Sequence, residues 1–101
     1  MNRRNRLIDT GKAEEIGIYG LAFLAEDEDR LGRFLALTGA GPETLARARH
    51  DPEVLASVLE YFLGDEPLLL QFAAASETDP EAVQAAWDAL VYDAMKRKRP
   101  L

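Results

Sequence analysis

"PEVLASVLEYFLGDEPLLLQFAAAS", residues 52–76, holds two apolar runs separated by a glycine and a proline. In the first run Val54, Leu55, Val58, Leu59, Phe62 and Leu63 recur at the spacings of one helix face. Gly64 stops that pattern. Pro67 stands in the first turn of the next helix, where its missing N–H has no intrahelical acceptor to lose. The second run, "LLLQFAAA", is apolar almost all round. A helix of that kind is buried on most sides, so the pattern places it at the centre of a helical bundle.

The same punctuation continues on either side. Upstream, His50-Asp51-Pro52-Glu53 reads as a stop and a start, with Asp51 as N-cap and Pro52 at the first helical position. In "LTGAGPETLARAR", residues 37–49, Gly39 sits where a left-handed helix end is expected. Gly41-Pro42 then opens a short helix with Leu45 and Ala48 inward. "EDED" at 26–29 ends one helix and starts another, whose inner face is Leu31, Phe34, Leu35 and Thr38. A first helix is predicted from about Lys12 to Ala25, facing inward with Ile16, Tyr19, Gly20, Phe23 and Leu24. Gly20 costs about 1 kcal/mol relative to alanine there and permits a close helix–helix approach. Downstream, Thr78 or Asp79 caps a last helix that opens at Pro80 and faces inward with Val83, Ala86, Trp87, Leu90, Ala94 and Met95.

Period 2 is nowhere sustained. The expectation is therefore an all-α fold, a compact bundle of five to six short helices with no sheet. Residues 1–11 read as a basic N-terminal tail, 12–95 as a single helical domain and 96–101 as a basic C-terminal tail. A chain of 101 residues suffices for one core without metal or disulfide staples.

Composition narrows the chemistry. With no cysteine, disulfides, thiolate zinc sites, Fe–S clusters and thiol catalysis are all excluded. That fits a reducing cytoplasm. No apolar run approaches the ~20 residues that span a membrane, and "MNRRNRLIDTGK" has no apolar stretch behind it that would make a secretory signal. The charge is uneven. Residues 1–12 carry four basic and one acidic side chain, and residues 94–101 four basic and none. The stretch 13–93 carries four basic against seventeen acidic ones, which disfavours nucleic-acid binding by the body.

"LAFLAEDEDRLGRFLALTGAGPETL" followed by "VLEYFLGDEPLLLQFAA" resembles DUF3572, a family of small alphaproteobacterial proteins of unknown function. "FLAEDEDRLGRFLALTG" and "GDEPLLLQFA" are its most specific parts. The resemblance covers roughly residues 16–90 and leaves the basic tails outside. It implies a bacterial, cytoplasmic protein and lends no residue a role.

Residues 37–49 carry the one candidate activity. A DNA-binding helix-hairpin-helix has this layout: glycines let the backbone approach a phosphate, and N–H groups at the second helix's start bind it. Its residues would be Gly39, Gly41, Thr44, Arg47 and Arg49. Against it, Glu43 stands where a phosphate would arrive. Leu45 and Ala48 also reverse the motif's usual order of small and large inward residues. Helix caps alone require both residue types, so a plain corner is the preferred reading.

The remaining motifs read more simply as structure. Four consecutive carboxylates in "EDED" point different ways, unlike the alternating ligands of a calcium loop. His50, the only histidine, suits a helix C-terminal turn. Ser57 and Ser76 are the only serines, and no nucleophile elbow or phosphate-binding loop surrounds them. Nothing in the spacing singles out Glu14, Glu15 and Glu60 as a carboxylate pair. Trp87, Tyr61 and Tyr92 are the aromatics most able to anchor a partner; Trp87 lies on the apolar stripe and is expected inward, whereas Tyr92 lies off it. No residue is assigned a catalytic, cofactor-binding or metal-ligating role. The expectation is a non-enzymatic protein-interaction or accessory module with an unidentified protein partner and a shallow, partly apolar groove. The alternative is weak, sequence-independent nucleic-acid binding through the 37–49 corner and the basic tails. A helix as apolar as "LLLQFAAA" also leaves a homodimer open.

Overall fold

The computed structural model describes residues 8–98, with side chains to Lys96. Among these residues there are six α-helices and one 3₁₀ turn, with no strand: the all-α bundle that the periodicity predicts. The helices are α1 (Thr10–Ala25), α2 (Glu28–Thr38), α3 (Pro42–Arg47), α4 (Pro52–Leu63), α5 (Glu66–Ser76) and α6 (Pro80–Lys98). The 3₁₀ turn, Ala48–His50, joins α3 to α4.

Each start has a local cause. The Asp9 carboxylate accepts the Lys12 N–H at 2.7 Å, so α1 begins at Thr10, earlier than its apolar face suggests. Asp27 accepts from Asp29 and Arg30 N–H, which sets the start of α2 inside the "EDED" run. Asp51, Asp65 and Asp79 do the same for α4, α5 and α6 through Glu53, Leu68 and Glu81 N–H. Asp79, not Thr78, is thus the cap of α6. The ends are equally local. Gly39 terminates α2 with φ +74°, and Glu77 ends α5 in the left-handed region at φ +55°. The Thr78 N–H closes that turn onto the Ala73 carbonyl at 2.9 Å. At the C-terminal end α6 continues to Lys98, into the segment expected to be a tail. The tail residues 1–7 and 99–101 lie outside the described residues.

The core is built by α1, α4 and α6, which pack against one another. Ile16, Leu24, Leu55, Leu59, Phe62 and Leu90 are fully enclosed. Gly17 and Gly20 let α1 lie directly on α4. A Cβ on Gly17 would sit 2.9 Å from the Leu55 Cβ, and one on Gly20 would sit 2.9 Å from Phe62 Cε2 and 3.0 Å from Val58 Cγ1. Rising numbers on α1 meet rising numbers on α4, so the two helices run in the same direction. Phe23, further along α1, meets Phe62 at a centroid distance of 5.8 Å.

The central helix is α4 and not α5, contrary to the expectation from "LLLQFAAA". Six residues of α4 are buried, against only Phe72 and Ala73 on α5, and Leu70 is 50% exposed. Phe72 is the side chain that α5 encloses fully in the core, stacked on Phe62 at 4.5 Å with the rings 13° apart, while Leu68 and Leu69 pack against the core half-buried. One further expectation changes on α6. Met95, predicted inward, is 58% exposed. Trp87 is half-buried and packs against the core, with its indole N–H enclosed and without a hydrogen-bond partner among the described residues.

Candidate functional site

The 37–49 corner is held by its own backbone. Gly39 N–H donates to the Leu35 carbonyl at 2.9 Å, and Ala40 N–H donates to Thr38 Oγ1 at 3.3 Å. Thr38 in turn donates its hydroxyl to the Phe34 carbonyl at 2.8 Å. Gly41 is extended and caps α3 with no side-chain bond. Two of the N–H groups that a phosphate-gripping hairpin would use are thus engaged inside the protein. Thr44 is half-buried on α3, and Arg47 and Arg49 are exposed at its end and on the 3₁₀ turn. These five residues share one short span, and its geometry is that of a capped corner.

The groups weighed for catalysis do not converge. Ser57 and Ser76 each donate a hydroxyl hydrogen bond to the carbonyl one turn back, Glu53 and Phe72 respectively. His50 is exposed at the end of the 3₁₀ turn. Glu15 accepts the Tyr19 hydroxyl and pairs with Lys12 at 3.5 Å. The Tyr19 bond, and then the Lys12 charge, hold the Glu15 carboxyl below the usual carboxylate range. The same bond, together with the carboxylate's charge, raises the Tyr19 phenol. Glu14 and Glu15 sit near the start of α1 and Glu60 near the end of α4, so the parallel packing of these helices keeps them apart. Among the described residues, no group of three or more His, Asp or Glu side chains is placed to hold a metal ion.

What the fold does offer is surface grooves. One, of about 620 Å³, lies between α2 and α4 and is lined by Arg33, Leu37, Ser57, Glu60, Tyr61 and Asp65, among others. Leu37 stands at its edge and is 73% exposed. Tyr61 is half-buried and set edge-on to Phe34 at 5.4 Å. A second, of about 640 Å³, brings Arg47, His50, Asp51 and Glu53 beside Ala94 of α6. A third, of about 280 Å³, runs between Tyr19 and Ala22 of α1 and Ala75 and Ser76 of α5. The exposure of Leu37 escaped the sequence reading, which took that leucine only as the close of a helical pattern. The signal was its place outside the Leu31–Phe34–Leu35–Thr38 face.

Fold and grooves together define a small all-α bundle whose accessible features are open clefts between neighbouring helices. The chain belongs to the DUF3572 family, described as a protein of unknown function, whose profile matches residues 10–92. The match begins with α1 and stops on α6 at Tyr92, leaving the tails outside. No curated protein and no solved structure matches the chain. Among the described residues, no helix is long and apolar enough to cross a membrane.

Proposed function

We propose that this protein is a non-enzymatic interaction module that holds a short basic and apolar segment of a partner protein in the α2–α4 groove. The observation that carries this reading is Leu37, a large apolar side chain 73% exposed beside the half-buried Tyr61. Glu60 and Asp65 line the same groove with Arg33, giving it a net negative rim suited to a basic segment. An apolar anchor entering between Leu37 and Tyr61 would be ringed by those charges, the usual arrangement of a binding hot spot. The absence of cysteine fits a reducing compartment, and we infer a cytoplasmic location.

The test is a pull-down from the native organism with three baits: the wild-type chain, Leu37→Glu and Leu70→Glu. Leu70 is also an exposed leucine, on α5 and outside this groove. A partner retained by wild type and Leu70→Glu and lost from Leu37→Glu supports the groove. Equal recovery by all three baits, or no recovered partner in repeated experiments, counts against it.

A further inference from the structure

The solvent side of α5 lacks the charge that an outer helix face ordinarily carries. From Pro67 to Ser76 ten successive residues are uncharged, although charged residues make up 30% of the chain. Every other α-helix among the described residues has a charged residue beyond its first turn. Leu68, Leu69, Phe72 and Ala73 are half-buried or buried in the bundle. Pro67, Leu70, Gln71 and Ala74, at the spacing of one helix face, are all exposed, and Ala75 is exposed beside them. An outward face is polar when water is its only neighbour. Depletion of charge from an exposed patch is instead the compositional mark of the centre of an interface.

The face continues onto α1. Tyr19, 42% exposed, and Ala22 line the groove of about 280 Å³ opposite Ala75 and Ser76. Glu26, the residue after α1, lines it too. Arg30 of α2 reaches the same side of α5: it donates to Gln71 Oε1 at 3.4 Å, with its guanidinium 4.3 Å from the Phe23 ring centre.

We propose that this face pairs with itself, α5 against α5 of a second copy, antiparallel about a two-fold axis. Its large residues, Leu70 and Gln71, precede its small ones, Ala74 and Ala75. A parallel pair would set leucine on leucine and leave alanine opposite alanine. The antiparallel pair sets Leu70 on Ala74 of the second copy and Gln71 on Ala75, twice over, as an isologous interface requires. Arg30, bonded to Gln71, then faces the groove of the second copy that holds Glu26, cation toward carboxylate. Glu66 and Glu77, both exposed at the ends of α5, meet at the rim, where exposed charges contribute little. The face is roughly 16 Å long, and two helices wide it measures roughly 20 Å across. Two copies bury on the order of 1,000 Å², the lower limit for a specific interface, so the dimer is weak and reversible. It uses neither Leu37 nor the α2–α4 groove, and either reading can fail without the other.

The experiment is sedimentation equilibrium of the full chain, from about 5 µM to about 1 mM, at low and high salt. The expected dimer Kd is on the order of 50 µM. It should change less than about threefold with salt, because apolar contact drives the pairing. Leu70→Glu should weaken the dimer about tenfold or more. Leu70→Ala removes the large residue and Ala74→Leu fills the space that receives it, so each should weaken the dimer about threefold or more. The two substitutions together restore large against small, and the double variant should return to within about twofold of wild type. Both positions are exposed, and circular dichroism checks that the variants fold. A chain that stays monomeric at about 1 mM overturns the proposal and leaves the face to an apolar helix of another protein. Tighter association of Ala74→Leu also overturns it, because a patch without register would only gain from a larger apolar side chain. A double variant as weak as the single ones does the same. Association abolished by salt would assign it to charged surface elsewhere.

Discussion

Gly20 of α1 lies so close to Phe62 of α4 that a Cβ on the glycine would stand 2.9 Å from the ring's Cε2. Val58 closes the other side at 3.0 Å, and both neighbours are fully buried. Alanine is the better helix former by about 1 kcal/mol. The packed interface outweighs that gain, because neither neighbour has room to yield. Gly20→Ala should destabilise by roughly 1–3 kcal/mol. Gly32 on α2 faces open space, so Gly32→Ala should stabilise by up to about 1 kcal/mol. Urea denaturation of the two variants checks both signs, and a stabilised Gly20→Ala would refute the close-approach account.

Phe72 and Leu70 separate the buried from the exposed side of α5. Phe72 is fully buried and stacked on Phe62, so Phe72→Ala should cost about 3–5 kcal/mol. Leu70 is 50% exposed, and Leu70→Ala should cost about 1 kcal/mol or less. Similar losses at the two positions in chemical denaturation would mean that α5 is buried all round after all.

Gly39 and Gly41 bracket one corner with different backbone needs. Gly39 has φ +74°, where a Cβ meets the carbonyl, so Gly39→Ala should cost about 1–2 kcal/mol. Gly41 is extended with open space around it, and Gly41→Ala should stay within about 0.5 kcal/mol. Melting curves of the pair measure the difference. A costly Gly41→Ala would point to a role for that glycine beyond the helix start.

Glu15 and Tyr19 shift each other's titration in opposite directions. The Glu15 pKa is lowered on folding, so its contribution to stability is present above the ordinary carboxylate value. It is lost as pH falls through the lowered one. The Tyr19 pKa is raised, so its contribution is present below the ordinary phenol value and is lost as pH rises through the raised one. Tyr19→Phe removes the largest cause at Glu15 and should move its carboxyl titration upward toward the ordinary value. An NMR titration of the Glu15 side chain reads this directly, and an unmoved curve would show that Lys12 alone sets the shift.

The sequence by itself determined most helix boundaries, the start of α1 and the end of α6 excepted. Asp51-Pro52 and Gly39 act within a turn or two of chain: a carboxylate meets a free N–H, a ring pre-sets φ, a missing Cβ admits the left-handed region. It also foretold Gly20 as a point of close approach, because a glycine on an otherwise apolar helix face has few other uses there. Only the tertiary structure decided which apolar helix lies at the centre. Leu70 and Phe72 look alike to a hydropathy pattern. Their burial depends on α4 having taken the inner position, with α1 seated on it through Gly17 and Gly20. Local chemistry fixes helix ends, whereas burial follows from long-range packing, which no short window of sequence contains.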